Sequence, residues 1–414
     1  MEKNSKHNMS VNLSHQKIHP KIKMINKGSS GCVYRPNIPC GDKETSNFKY
    51  ITKIQKNSPN IINEVELSNK IKKIKLYLRH YAVMISQCKM NIDEIKSVTE
   101  NYSSSSTLRT SNENKCDILN DTTDTTDTTD TTDTTDTTDT TDTTDTTDTT
   151  DTTKEPLVTT KFRYIGKYDL EVYLVKHYQK TKNARNKIIY TYYYNLLSLN
   201  KLISHQADNG IIHFDIKENN IIYDLKNHSP IIIDFNISFN IKDAKDKNRQ
   251  KEIFYTNDFY FYWGIDIFII SNIINGQTDI NSFATKEKIT KFIDDFFEDF
   301  TKHIKILGVT KIIDDNEIKI NRDKFVNYFV EKYSQFPLKK MLDDLTEPKI
   351  IKTWDNYSLA LTYIKILSVL PKGILNETEE QKIKSIVFSL PHERPSAQET
   401  LDIFFQNNSD DFML

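Results

Sequence analysis

The sequence predicts an α+β protein, and two kinds of pattern carry this prediction. Short apolar or alternating runs are typical of strands, and they lie at residues 50–54, 81–84 and 157–164. Longer stretches with apolar residues at helical spacing lie after Ser58 and at residues 189–203. A third observation is the stretch HFDIKENN at residues 213–220, which places acid, cation and amide side chains between two apolar runs.

Two loops, each preceded by a strand-like apolar run, present the side chains that carry chemistry. The first contains Asp215, Lys217 and Asn220, and the second follows three isoleucines and contains Asp234. Phosphoryl transfer from a magnesium nucleotide needs such a set. One carboxylate orients the attacking hydroxyl, a cation neutralises the moving phosphoryl group, and an amide and a second carboxylate hold metal. Two β-hairpins with polar tips are the purely structural alternative.

In this order the loops resemble the catalytic core of the protein kinase superfamily, H-x-D-x-K-x-x-N followed by D-F-x. The resemblance implies a small, mainly β lobe with one regulatory helix and a larger, mainly α lobe. It implies ATP and Mg²⁺ as cofactors, with Asp215 as catalytic base and Lys217 as phosphate contact. It also implies that Asn220 and Asp234 are the Mg²⁺ ligands. Lys217, two places after the base, is typical of serine/threonine kinases.

Composition and charge exclude several other classes of protein. The formal net charge is −1, so the composition lacks the excess of basic residues that is typical of proteins that bind nucleic acid or an acidic membrane surface. Residues 1–20 are polar, lack the apolar core of a signal peptide, and are predicted to form a mobile tail. The most apolar run, residues 265–274, is too short to span a bilayer. We therefore expect protein substrates, and neither nucleic acid nor a membrane as partner.

The cysteines bear on the compartment. Cys32, Cys40, Cys88 and Cys116 show neither a C-x-x-C motif nor a spacing with histidine. We therefore expect free thiols in a reducing compartment, and neither a zinc site nor a disulfide framework. We therefore expect a soluble intracellular protein.

A glycine-containing segment precedes the first clear strand. Against the kinase pattern G-x-G-x-x-G-x-V it carries Gly28, Gly31 and Val33, with Asn26 in place of the first glycine. Asn26 is tolerable there because asparagine accepts positive φ more readily than other side chains. The resemblance makes Ile25 and Val33 an apolar lid over adenine, although an ordinary hairpin turn fits the same residues. The implied nucleotide contacts are Ile25, Asn26, Lys27, Gly28, Ser29, Ser30, Gly31, Cys32 and Val33.

Lys53 and Glu64 are the next candidates. Lys53 stands in the strand-like run 50–54 where the kinase lysine belongs, and Lys49 and Lys56 are its competitors. Ser58 and the proline after it begin a helix whose apolar face includes Glu64, whereas Glu66 points elsewhere. Because a buried carboxylate needs a cation, the resemblance implies an ion pair between Lys53 and Glu64 that positions the α- and β-phosphates.

Two regions interrupt the kinase-like pattern. Residues 91–156 are predicted to be a disordered insertion, because they include a pure Asp-Thr-Thr repeat at 121–153 that has no apolar residues. The repeat fits an autophosphorylation target or a tolerated expansion in a surface loop. After it, the resemblance implies that the backbone of residues 163–165 hydrogen-bonds adenine. Residues 267–347 are predicted to be a helical insertion or, alternatively, a substrate-binding subdomain.

The chain departs from the kinase pattern after Asp234. Asn236 replaces the glycine of D-F-G, again an asparagine where positive φ is expected. Phe214 replaces the arginine of H-R-D. That arginine usually pairs with a phosphate on the activation loop, so switching by phosphorylation there is doubtful. His213 is interpreted as a structural residue that packs against Phe235.

The C-terminal half contains two competing starts for the central helix of the large lobe, at Asp266 and at Asp355. Asp355 is preferred because Ser358 and Ala360 follow at the family's spacing. The segment 264–266 then becomes a degenerate A-P-E motif. The resemblance of residues 390–397 to D-P-x-x-R-P-S implies an ion pair between Arg394 and Asp266.

The sequence therefore predicts a serine/threonine protein kinase that uses ATP and Mg²⁺, divergent and similar to kinases of large DNA viruses. That similarity would place it in host cytoplasm or the virion. A pseudokinase that acts as a nucleotide-dependent binding or scaffold module and a small-molecule kinase are the alternatives. The expected parts are a small lobe at 21–165, a large lobe at 166–407 and a C-terminal tail at 408–414.

Overall fold

The computed structural model describes residues 21–28, 31–41, 44–100, 116–119, 157–180, 185–276 and 279–405. The predicted tails at 1–20 and 408–414, the repeat at 121–153, and Ser29 and Ser30 lie outside these residues. The described strands are β1 (Lys23–Gly28), β2 (Gly31–Arg35), β3 (Tyr50–Gln55), β4 (Tyr81–Ala82), β5 (Ser86–Met90), β6 (Leu157–Arg163), β7 (Ile211–Ile212), β8 (Ile221–Asp224), β9 (Ser229–Ile233) and β10 (Phe239–Asn240).

The helices begin near the middle of the strand-rich part and dominate the rest of the chain. They are α1 (Pro59–Ile71), α2 (Ile92–Glu100), α3 (Leu170–Lys180), α4 (Arg185–Asp208), α5 (Lys247–Ile253), α6 (Ile265–Asn275), α7 (Lys286–Ile306), α8 (Asp315–Tyr333), α9 (Leu338–Leu345), α10 (Pro348–Ile351), α11 (Trp354–Val369), α12 (Glu377–Val387) and α13 (Ala397–Phe405). This content confirms the α+β class.

The chain divides into two compact units. The first comprises Met1–Asn57 and Ile85–Tyr164, and the second comprises Ser58–Met84 and Ile165–Leu414. The division after Tyr164 lies one residue from the boundary predicted between the lobes. Ser58–Met84 was predicted to belong with the small lobe, but it packs with the larger unit. The reason is that Leu67 and Tyr81 are buried in that unit's apolar core.

The first unit is a five-stranded antiparallel sheet in the order β1-β2-β3-β6-β5. Its apolar core is small and includes Ile54, which is fully buried on β3, together with Tyr34 and Leu157. Ile95 on α2 is also fully buried in this core. Part of the predicted disordered insertion is therefore ordered, and the prediction of disorder is wrong for α2. The hydrophobic spacing of Ile92, Ile95 and Val98 gives this short helix one apolar face.

Two disulfides cross-link the first unit, so the prediction of free thiols is wrong. Cys32 on β2 pairs with Cys116, and Cys40 pairs with Cys88 on β5. No cysteine remains free. The partners are separated by 84 and 48 residues in the sequence, so the fold of the unit brings them together. The cysteine argument for a reducing compartment, and against a disulfide framework, therefore no longer holds.

The second unit places two small sheets among helices. One sheet has the order β4-β9-β8, and β7 pairs with β10 in the other. Its central helix is α11, in which every residue except Lys365 and Val369 is buried. A helix that is buried on all sides must lie within the core, and this explains why its sequence lacks a polar face. The preference for Asp355 as the start of the central helix is thus supported by the burial of α11.

The segment 267–347 is helical, as predicted. It contains most of α6 and the helices α7, α8 and α9, whose inward residues join the same apolar core as α11. Among the helices that the structure describes, none combines the length and apolar character that a membrane span requires.

Candidate active site

The loop at residues 213–220, here called the catalytic loop, joins β7 to β8 in the second unit. Ile211 and Ile212 before it and Ile221 after it are fully buried. These isoleucines fix both ends of the loop, so the polar residues between them project from a rigid base. The alternation of apolar anchors and polar tip was readable from the sequence.

Asp215, Lys217 and Asn220 contact one another within this loop. Lys217 Nζ lies 3.0 Å from Asp215 Oδ1. The side-chain amide of Asn220 donates to Asp215 Oδ2 over 2.7 Å and to its backbone carbonyl over 2.9 Å. The structure therefore brings together three of the predicted site residues around one carboxylate.

Asp355 binds the backbone at the start of the catalytic loop. Its Oδ2 accepts the backbone N–H of His213 over 2.7 Å, and its Oδ1 accepts that of Phe214 over 2.8 Å. Burial raises the pKa of Asp355, although these two N–H groups and nearby His213 act in the opposite direction. A fully buried carboxylate bonded to two consecutive amides fixes the backbone just before Asp215. This contact supports the preference for Asp355 over Asp266.

His213 links the two loops that carry the predicted chemistry. Its Nδ1 accepts the backbone N–H of Asp215 over 3.3 Å, so its Nε2 carries the proton that is shared with Ile233 O at 2.9 Å. The imidazole ring packs edge-on against Phe235, with the ring centroids 4.7 Å apart. The prediction that His213 packs against Phe235 is confirmed. A buried ring with both nitrogens bonded to backbone fits the structural role that the sequence predicted for His213.

Asn220 and Asp234 lie at the same end of the β8–β9 hairpin. Ile221 pairs with Ile232 in the antiparallel register, so Asn220 precedes one strand where Asp234 follows the other. The positive φ of this second loop falls on Asp234, at +62°, and not on Asn236, where the sequence predicted it. Asp234 therefore adopts the left-handed conformation, and Asn236 has a backbone conformation that does not require glycine.

Four consecutive aromatic residues at 260–263, here called the aromatic turn, contact the catalytic loop at three points. Tyr260 Oη donates to Asp215 Oδ1 over 2.6 Å, and Tyr262 Oη donates to Glu218 Oε2 over 2.6 Å. Trp263 Nε1 donates to the backbone carbonyl of Phe214 over 2.9 Å. These residues were not among the predicted site residues. The sequence feature that could have indicated them is the aromatic run YFYW directly before Gly264.

Phe214, which replaces the kinase arginine, is buried in an aromatic cluster. Its ring stacks on Trp263 with centroids 4.6 Å apart and meets the edges of Phe239 and Phe254. Its backbone φ is +67°, an uncommon value for a large side chain. The aromatic contacts hold this strained position, where the family uses an arginine and a phosphate.

Arg394 and Asp266 form the predicted ion pair, which is confirmed. Arg394 Nη2 lies 2.9 Å from Asp266 Oδ1, and Trp354 Nε1 donates to Asp266 Oδ2 over 2.6 Å. Gly264 borders the pair so closely that a Cβ there would lie 2.5 Å from Asp266 Oδ1. The glycine of the degenerate A-P-E motif therefore has a steric reason.

Glu218, which the sequence analysis did not consider, lies beside the catalytic loop in a group of charged side chains. Lys365 Nζ contacts Glu218 and lies 3.6 Å from Glu171 Oε2. Burial raises the pKa of Glu171, and the neighbouring lysine opposes that rise. Lys365 thus provides the cation that two partly buried carboxylates require.

The glycine-rich segment contributes the paired strands β1 and β2 to the first unit. Gly28 and Gly31 pair at the end of β1 and β2. A Cβ on Gly31 would lie 2.1 Å from the carbonyl oxygen of Ile54, so no other residue fits there. Asn26 lies in β1, where its Oδ1 accepts the backbone N–H of Lys27, and has no positive φ. Its tolerance of positive φ is therefore not the reason for its presence.

The remaining nucleotide-contact candidates of this segment differ in exposure. Ile25 is 48 % exposed and Val33 is half-buried, so both retain apolar surface. Lys27 is exposed, whereas Cys32 is buried and its sulfur is bonded to Cys116. The sulfur of Cys32 therefore points into the sheet's core and leaves only its backbone for a ligand.

Lys53 and Glu64 are both buried charged residues, as the sequence predicted. Lys53 on β3 is 8 % exposed, while its competitors Lys49 and Lys56 are exposed. Glu64 on α1 is 1 % exposed, whereas Glu66 lies on the surface 3.6 Å from Lys70. Lys53 belongs to the first unit and Glu64 to the second, so the ion pair between them stays a prediction.

No family model matches the chain, and a comparison with curated proteins gives no significant match. Function must therefore be inferred from the geometry of the two loops and of the residues that support them.

Proposed function

We propose that this protein is a serine/threonine protein kinase with a two-lobed, protein-kinase-like fold. It transfers the γ-phosphate of Mg-ATP to serine or threonine hydroxyls of other proteins. The observation that carries the proposal is the catalytic loop, in which Lys217 and Asn220 both contact the Asp215 carboxylate. An acid, a cation and an amide that converge on one loop tip are among the groups that phosphoryl transfer needs.

The residues of the loop can divide the work of phosphoryl transfer. Asp215 accepts the hydrogen bond of the attacking hydroxyl and orients its oxygen, which is the main task of the base in such reactions. Lys217 is held 3.0 Å from this carboxylate, so its ammonium stands beside the reacting oxygen. There it neutralises charge on the phosphoryl group as it moves.

The residues proposed to hold magnesium have suitable donor atoms. Asn220 uses its amide nitrogen on Asp215, which leaves the amide oxygen to face a metal. Asp234 adds a carboxylate at the same hairpin end, and Mg²⁺ prefers such oxygen ligands. When bound, Mg²⁺ would neutralise the charge of the phosphates. In the described residues no group of three or more His, Cys, Asp or Glu side chains could hold a metal. A magnesium site completed by phosphate oxygens needs only one or two carboxylates.

We infer the nucleotide contacts of each unit from the resemblance. In the first unit, backbone N–H groups of the segment 25–33 would approach the phosphates, and Lys53, which is buried on β3, would position the α- and β-phosphates. In the second unit, Glu64, which is buried on α1, is the residue that the resemblance assigns as the partner of this lysine. The backbone of residues 163–165 would bond adenine.

Labelled γ-phosphate transfer from Mg-ATP to casein or myelin basic protein tests this function. The native protein is expected to label serine and threonine, and Asp215→Ala to lose the activity by about 100-fold or more, because the hydroxyl loses its acceptor. Asp208→Ala is the matched control. It removes an exposed carboxylate of the second unit, which lies 3.3 Å from the half-buried Lys352, and it should retain full activity.

The alternatives make different predictions in this assay. A pseudokinase would bind Mg-ATP, detected with a fluorescent nucleotide, without labelling protein. A small-molecule kinase would consume ATP only when a low-molecular-weight alcohol is supplied. Equal labelling by the native protein and by Asp215→Ala would refute the proposed role of the catalytic loop.

A further inference from the structure

The hydroxyl of Tyr260 lies between the two side chains proposed to act on the substrate. It donates to Asp215 Oδ1 over 2.6 Å and accepts from Lys217 Nζ over 3.1 Å. Lys217 Nζ lies 3.0 Å from the same carboxylate oxygen. The three polar atoms therefore form a closed triangle in which the phenol bonds to both partners at once.

The phenol is a permanent hydrogen-bond donor in this position. Burial raises the pKa of Tyr260 well above its ordinary value, and the negative charge of Asp215 raises it further. Tyr260 therefore keeps its proton throughout the pH range in which proteins work. The shared oxygen of Asp215 receives that proton and one proton of the Lys217 ammonium.

Counting acceptor sites shows what remains for a substrate. A carboxylate offers about four lone-pair sites, two on each oxygen. Tyr260 and Lys217 use the sites on Asp215 Oδ1, and Asn220 uses one on Oδ2. The remaining site lies on Oδ2. A hydroxyl that approaches Asp215 therefore has one oxygen to bind, and the carboxylate cannot rotate without breaking the bond from Tyr260.

The backbone around Tyr260 is fixed by other contacts. The carbonyl of Tyr260 accepts the N–H of Trp263 over 2.9 Å, which closes the aromatic turn. Tyr262 is held at its carbonyl by Ser358 Oγ over 2.7 Å and at its hydroxyl by Glu218. Trp263 is bonded to the carbonyl of Phe214. Because its neighbours are held in this way, Tyr260 is suited to keeping one position during the reaction and poorly suited to moving away when a substrate binds.

We propose that Tyr260 is a positioning residue for the phosphoryl-transfer reaction. Its hydroxyl fixes the rotation of the Asp215 carboxylate so that Oδ2 faces the acceptor hydroxyl, and it keeps Lys217 beside the same carboxylate. This inference rests on the proposed kinase function. The opposite role would be a plug, in which the phenol occupies the acceptor's place and has to leave.

Tyr260→Phe tests the role, because it removes one oxygen and keeps the ring. The kcat for protein phosphorylation is expected to fall about 10- to 100-fold, as misplacement of a reacting group does. The KM for Mg-ATP should remain within about twofold, because the phenol does not touch the nucleotide in this role. A purely structural role would instead change the melting temperature and leave kcat per folded molecule unaltered.

Tyr333→Phe is the matched control. Tyr333 is 1 % exposed on α8, and its hydroxyl donates to a carboxylate oxygen of Asp344 over 3.3 Å. The substitution therefore deletes the same kind of bond, from a buried phenol to a carboxylate, outside the catalytic loop. It is expected to cost a similar amount of stability and to leave kcat unchanged.

A second variant replaces Tyr260 with p-aminophenylalanine, which keeps a donor at the same place. It is expected to restore kcat to within about threefold of the native value. If Tyr260→Phe does not fold, this variant alone decides, and a kcat reduced 10-fold or more in it would overturn the inference.

The outcomes separate the inference from the proposed function. Native activity that Tyr260→Phe keeps in full, or exceeds, overturns the positioning role alone, and a gain in kcat would indicate the plug. A native protein without Asp215-dependent transfer overturns the proposed function and the inference together.

Discussion

At the scale of single residues, the pair of Arg394 and Asp266 illustrates how much one buried contact can contribute. Both side chains are almost fully buried, and Trp354 donates to the same carboxylate. Removing one partner of such a pair leaves a charge in a dry environment without compensation. The pair links the segment before α13 to the start of α6, so its loss acts on two distant parts of the chain.

Arg394→Met is therefore expected to lower the free energy of unfolding by about 3–5 kcal/mol, because Asp266 would stay buried without a neighbouring cation. Urea denaturation followed by circular dichroism gives this value. Arg322→Met is the control, since Arg322 binds Asp294 and Asp323 on the surface with 35 % of its side chain exposed. It should cost about 1 kcal/mol or less. Equal losses in the two variants would contradict the assigned importance of burial.

Single residues also show what the sequence could and could not reveal. Asp215, Lys217 and Asn220 were predictable because six consecutive residues of one loop contain them all, and a local motif specifies their contacts. Tyr260 was not, because its contact with Asp215 spans 45 residues and follows no periodic pattern. The positive φ was assigned to Asn236 from side-chain preference. In the structure it falls on Asp234 instead.

At the scale of elements, the catalytic loop is held from two sides by elements that follow it in the chain. From α11, Asp355 bonds the backbone of His213 and Phe214. From the other side, the aromatic turn packs on the Phe214 ring and bonds its carbonyl. These contacts are made by uncharged aromatic groups and by one buried acid. The loop's geometry therefore does not depend on a phosphate.

Phe214→Arg, which restores the residue that the kinase family uses, is expected to destabilise the protein by about 3 kcal/mol or more. The guanidinium would be buried among aromatic rings, where a charge without a partner is costly. The control is Phe336→Arg, at a side chain that is 49 % exposed, with an expected cost below about 1 kcal/mol. Thermal unfolding monitored by intrinsic fluorescence compares the two. Normal stability of Phe214→Arg would show that the aromatic cluster is dispensable.

The elements were predicted better than their surroundings. Periodicity identified α1 and α4, and the α1 prediction also gave Glu64 its buried face. It failed for α2, because a nine-residue helix beside a low-complexity tract has too few apolar positions to stand out. It also placed Ser58–Met84 with the wrong unit, since an apolar helix face does not indicate which core will receive it.

At the scale of the whole molecule, the two units differ in how they are stabilised. The second has an extensive apolar core around α11. The first has a small core, and it carries both disulfides. Small cores bury too little surface to be stable alone, and cross-links are a common compensation. Closing a loop of 84 residues stabilises by about 4.6 kcal/mol in the chain-entropy model.

The disulfides lead to a prediction that needs no assay of function. Iodoacetamide added under denaturing conditions should label no cysteine, and after reduction it should label all four, as counted by intact mass. Reduction, or Cys32→Ser together with Cys116→Ser, should lower the melting temperature by several degrees, because the unfolded chain regains freedom. Ser97→Ala together with Ser86→Ala is a control pair from the same unit. Four labels without reduction would contradict the cross-linked state.

The disulfide that anchors Cys116 has a consequence for how the number of Asp-Thr-Thr triplets can change during evolution. Leu119 and Leu157, which stand on either side of the Asp-Thr-Thr triplets in the sequence, both belong to the same small core. Because both residues are anchored in that core, gaining or losing a triplet changes the length of chain between two fixed points, and such a change has a weak effect on stability. Copy number at this place can therefore drift between lineages without disturbing the sheet, and a reporter peptide could be spliced there.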